Sequence, residues 1–175
     1  MDWPATIFQF IDMRSFSNLW YWIGLGVLWS SASHYILGVP FDMVGRARRM
    51  GGQAEEDFRD LLRIKTSRMI YIADEAGVWI VALGMFILTG CLLLGFVYGV
   101  EFAQAVFLLG CPMSLVSVLS LRVARRLHDS DTTMEEVYKR LSRHRLMIQF
   151  IGMLSIFITA MWGMYHNLSI GALSG

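Results

Sequence analysis

Four histidines, an adjacent pair of carboxylates, two cysteines and a methionine-rich helix end are the residues of this sequence able to do chemistry. His34 and His144 fall on the first and last of four apolar segments, near the same membrane face, where an imidazole pair can clamp a haem between helices. His144 stands between Arg143 and Arg145, so the competing reading makes it an interfacial residue and His34 a helix-contact residue. His128 belongs to a loop and His166 to the opposite membrane side. Met161-x-x-Met164-x-His166 supplies soft ligands of the kind that hold Cu(I), but its neighbours Trp162 and Tyr165 read as an interfacial aromatic belt. Asp74 and Glu75 would mark an ion path if deeply buried. Their place between Arg68 and an uncharged run predicts the headgroup level instead, and a salt bridge to a basic residue. Cys91 and Cys111 lie inside apolar runs and are expected to be small buried thiols. The chain carries no phosphate loop, no zinc-spaced Cys/His set and no nucleophile motif. No metal or cofactor is expected on these grounds, and no catalytic residue.

Those residues must be positioned by apolar helices. Gly77–Gly99 runs 23 residues without a formal charge. At 1.5 Å per residue this is roughly 34 Å of helix, enough to cross a bilayer core of about 30 Å with some tilt. Three further uncharged runs of similar length precede and follow it, in a chain that is 55% apolar and only 17% charged. The fold class read from this pattern is an all-α integral membrane protein of 175 residues in one domain, with spans at about 18–38, 76–99, 102–122 and 145–166. Residues 1–17 read as an interfacial helix, with no basic region or cleavage site of a secretory signal. Phe41–Met50 reads as a short surface helix ended by Gly51-Gly52. No breaker appears from Ala54 to Gly77, so the second span continues a helix that starts outside the membrane. Gly99–Glu101 marks a hairpin, and Pro112 is expected to kink the third span. Thr132-x-x-Glu135 and Thr133-x-x-Glu136 read as capping boxes that begin the last helix outside the membrane.

Small and hydroxyl residues recur at helical spacing on three spans: Gly26, Ser30 and His34; Gly95 and Gly99; Ser114, Ser117 and Ser120. Such stripes let helices approach closely in lipid, and all are read as packing surfaces.

Charge sets the orientation. Segments 39–73 and 122–145 hold seven Lys/Arg each, and Arg14 is the only other. The positive-inside rule places both segments in the cytoplasm, and the hairpin and both ends of the sequence on the other side. The basic excess suits anionic lipid or a cytoplasmic contact, with Arg46, Arg48, Arg49, Arg125 and Arg126 as candidates, and does not suit nucleic acid.

Four stretches carry a resemblance: Ile11–Ile23 (IDMRSFSNLWYWI), His34–Val44 (HYILGVPFDMV), Arg46–Glu55 (RARRMGGQAE) and Gly95–Leu109 (GFVYGVEFAQAVFLL). Together they resemble a family of small membrane proteins of photosynthetic and related alphaproteobacteria, often labelled "component of SufBCD complex". The resemblance implies a four-helix bacterial inner-membrane protein, and the label implies a link to iron–sulfur cluster assembly. The function expected is a non-catalytic accessory subunit that packs against a larger photosynthetic or respiratory membrane complex or against itself. The alternatives are a small b-type haem or redox protein bound through His34 and His144, and a small transporter module using Asp74 and Glu75. The uncharged interior of the last three spans weighs against transport.

Overall fold

The computed structural model describes residues 16, 18–128 and 132–173, with side chains through residue 168. The interfacial helix expected over 1–17 lies outside the described residues, Phe16 aside. The fold is all-α. Helix α1 is Leu19–His34, α2 Phe41–Met50, α3 Gly52–Leu92, α4 Glu101–His128 and α5 Met134–Leu173. Among the described residues, three helices are long and apolar enough to cross a membrane: α3 with its C-terminal extension (Gly52–Val97), α4, and α5 over Met134–Leu168.

The first helix departs from its expected range. Asn18 caps it, its Oδ1 accepting from the Trp20 N–H at 3.0 Å. It ends at His34 and not near residue 38. Tyr35–Ile36 and Val39–Pro40 pair as a small antiparallel hairpin (β1 and β2) around Leu37 and Gly38, both at positive φ. The physical reason is burial: Ile36, Leu37 and Val39 are pulled into the core, which a continuing helix would not allow.

Helix α3 starts at Gly52, which with Gly51 has positive φ (+53° and +61°), and runs unbroken through residues 54–92, as the absence of a breaker predicts. Its end loosens into one π-helical turn, Leu93–Val97, and Gly99 at φ +72° reverses the chain into α4. Helix α4 continues through Pro112 and on through the basic residues to His128. Helix α5 begins directly after the two threonines of the capping boxes.

The densest core sits in the polar segments. Val44 and Ala47 of α2, Phe58 and Leu62 of α3, Ala124 of α4, and Val137, Tyr138 and Leu141 of α5 are all buried together with the β1–β2 hairpin. Phe58 and Tyr138 pack with ring centroids 5.8 Å apart. Between helices in water the hydrophobic effect favours such burial; between helices in lipid it is absent. The apolar halves behave differently. In its most apolar window α3 has only 6% of its residues buried, against 22% for α4 and 28% for α5. Helix α4 is flanked by α3 and α5, and α1 packs on α5. The four form an open array and leave a trough over α4.

Candidate functional site

The seam between α1 and α5 comes from a stripe not singled out in the sequence. Gly152, Ser155, Thr159 and Gly163 follow at spacings of three and four and are all buried. A Cβ on Gly152 would meet the Trp29 ring at 2.7 Å, and one on Gly163 would meet Phe16 at 3.3 Å. Trp29 of α1, and Phe16 just before that helix, therefore sit in notches on α5. The signal was present as small residues at helical spacing, masked by the apolar run around them.

At the far end of the array one buried amide ties three elements. Gln104 Nε2 donates to the Gly95 carbonyl at 2.7 Å, and Trp162 Nε1 donates to Gln104 Oε1 at 2.9 Å. A Cβ on Gly95 would stand 2.8 Å from the Gln104 backbone nitrogen, so this member of the GxxxG pair makes a close contact. Gly99 serves the turn, with open space where its Cβ would be. Beside this node Glu101 accepts from the Phe16 N–H at 2.6 Å and lies 3.5 Å from His166 Nε2. Trp22 Nε1 donates to the Phe16 carbonyl at 3.1 Å, and Tyr21 donates to the Ala105 carbonyl at 3.3 Å. Gln104 and Glu101 are unremarkable in the sequence, since one Gln in an apolar run gives no periodic signal.

The remaining candidates fall in separate places. Asp74 accepts from Arg125 Nη2 at 2.5 Å, the salt bridge its position predicts. Arg48 pairs with Glu135 at 3.0 Å, Arg46 and Arg49 are exposed, and the Arg126 carbonyl accepts from Arg140 at 3.3 Å. Ser120 and His144 Nε2 hydrogen-bond at 3.0 Å across the α4–α5 seam. His34 stands exposed at the end of α1 against the Tyr35 ring. His144 is buried and its Nε2 is engaged by Ser120, so the two histidines stand in different settings. Met161 and Met164 are exposed, while His166 is turned to Glu101. Cys91 is half-buried and Cys111 exposed, and both are free thiols, so the buried reading of Cys111 is corrected. Among the described residues no three His, Cys, Asp or Glu side chains gather as metal ligands.

The trough over α4 is an extended concavity. It has a volume of about 810 Å³, with Ile80, Gly84 and Leu88 of α3 on one wall and Ile151, Leu154 and Ile158 of α5 on the other. Cys111, Ser114, Ser117 and Arg122 of α4 also line it. Ser114 and Ser117 donate to carbonyls of their own helix, at 2.7 and 3.0 Å, so their hydroxyls are spent locally. They do not pack against another helix of this chain. A second hollow of about 400 Å³, walled by Phe96, Phe157, Trp162 and Tyr165, shares Leu108 and Ile158 with the first. The outer face of α1 is open as well. Gly26, Ser30, Ser31 and His34 are exposed, and nothing lies within 4 Å of a Cβ on Gly26.

Comparison with protein-family models, with curated proteins and with solved structures gives no match.

Proposed function

We propose that this chain is a non-catalytic integral subunit of a bacterial inner membrane that docks to a larger membrane complex, photosynthetic or respiratory, or to a second copy of itself, through the outer face of α1. In this reading α1 is a fourth pass, the basic helical segments face the cytoplasm, and both ends of the sequence lie on the other side. The observation that carries the proposal is the sidedness of α1. Leu25 and Trp29 are buried, with Trp29 against Gly152 of α5, whereas Gly26, Ser30, Ser31 and His34 face outward beside the exposed Leu19, Trp20, Ile23 and Val27. A lipid-facing surface gains nothing from glycine and hydroxyl groups, but a helix contact in lipid does. Sixteen residues give α1 about 24 Å of length, most of a bilayer core, and the buried hairpin carries the chain on into the cytoplasmic core. The basic excess of segments 39–73 and 122–145 supports the orientation. The family resemblance supports the inner-membrane location.

The test is a photo-crosslinking residue placed at Ser30 in one variant and at Phe86, on the open face of α3, in another. Protein adducts from position 30 alone, abolished by the double substitution Gly26→Ile and Ser30→Ile in the same chain, are expected with the crosslinker moved to Ser31. Lipid adducts only, from every position, would overturn the docking assignment.

A further inference from the structure

We infer that the trough over α4 is a binding site for one anionic glycerophospholipid, its acyl chains lying along α4 between α3 and α5 and its phosphate held by Arg122. Among the described residues, Arg122 is the only charged one lining the trough. It is exposed, and it makes no ion pair among the described residues, whereas its neighbour Arg125 is committed to Asp74. Its depth is that of a headgroup. Arg125 meets Asp74, and Gly110 lies against Leu88, so the antiparallel register sets Arg122 opposite the start of the uncharged run near Gly77.

Below Arg122 the trough is built for hydrocarbon. The serine hydroxyls that line α4 are turned back onto its own carbonyls. From Arg122 to Phe107 the groove descends about 22 Å along the helix, deeper than one leaflet of a core about 30 Å thick. A guanidinium above an apolar channel matches a lipid with a charged head and long tails. It also distinguishes such a lipid from a zwitterionic one: the bridge from Arg122 to phosphate is favoured by net negative charge, whereas an attached cationic group opposes it. An apolar helix of a partner would fill the channel without using Arg122.

The full chain, purified in detergent and mixed with equal phosphatidylglycerol and phosphatidylcholine, is analysed by native mass spectrometry. Phosphatidylglycerol should be retained about fivefold more, the effect of one basic contact near the surface. Arg122→Gln, at an exposed position, should leave the melting temperature unchanged and equalise the two lipids. Leu115→Trp, which narrows the channel without touching the charge, should lower retention of both. Equal retention by the wild-type chain, a preference that survives Arg122→Gln, or unchanged binding in Leu115→Trp would each overturn the assignment. So would a dimer that excludes both lipids, since a second copy would then be the occupant.

Discussion

The Trp29 indole packs against Gly152: a Cβ at that glycine would be 2.7 Å from Cε3 of the ring and 3.0 Å from Cδ2. The contact fixes α1 to the array. Both atoms belong to a rigid ring, so a methyl group at 152 has no flexible neighbour to displace. Gly152→Ala should therefore cost about 1–3 kcal/mol, the usual range for overpacking. Gly84→Ala is the control, because nothing lies within 4 Å of its Cβ position. Thermal unfolding in detergent should show a clear loss for the first and none for the second.

Gln104 should be as sensitive for a different reason. Its side chain satisfies the Gly95 carbonyl and the Trp162 indole N–H inside an apolar environment. Gln104→Leu keeps the volume close and leaves both groups without their partner. The expected cost is about 1–3 kcal/mol for each unsatisfied group. Gln104→Glu, entering this apolar setting as the neutral acid, keeps an acceptor for Trp162 and an O–H donor for the Gly95 carbonyl, and should cost less than the leucine variant. Denaturant titrations of the three proteins rank them.

These two residues show where the sequence was readable and where it was not. The unbroken helix through 54–92, the reversal at Gly99 and the bridge from Asp74 to a basic residue follow from local rules: absent breakers, a positive φ, and a carboxylate at the headgroup level. The β1–β2 hairpin does not, because Ile36, Leu37 and Val39 leave the helix to satisfy a core assembled from residues far along the chain. The Gly152–Gly163 stripe was hidden for another reason. In an apolar run small residues serve as filler or as notches, and only the facing Trp29 and Phe16 decide between them. Gly26 and Ser30 illustrate the converse: among the described residues nothing lies within 4 Å of a Cβ on Gly26, and Ser30 is exposed.

The Asp74–Arg125 pair should contribute little to stability despite its short distance. Its side chains are 61% and 50% exposed, so water and salt compete for both charges. A double-mutant cycle with Asp74→Asn and Arg125→Gln should give a coupling of about 0.2–1 kcal/mol. Added salt should reduce it further, since exposed charges are screened. The pair then sets the register of α3 on α4 more than it strengthens the contact.

Phe58 should matter more than any residue of the uncharged spans. It is fully buried, against Tyr138 and among side chains of α2, α4 and α5, in the part of the molecule where water makes burial favourable. Phe58→Ala removes a whole ring from that core, for an expected loss of about 3–5 kcal/mol. The loss should be local. The apolar halves of α3, α4 and α5 are held by their length and composition in lipid, and they stay inserted whether or not the polar core is packed. Limited proteolysis of vesicle-embedded protein separates the two parts. In the variant, cleavage should rise within residues 41–73 and 122–145, while fragments containing Gly77–Gly99 remain protected. Protection of the polar segments equal to that of the wild type would mean that the membrane, and not the Phe58 core, holds them together.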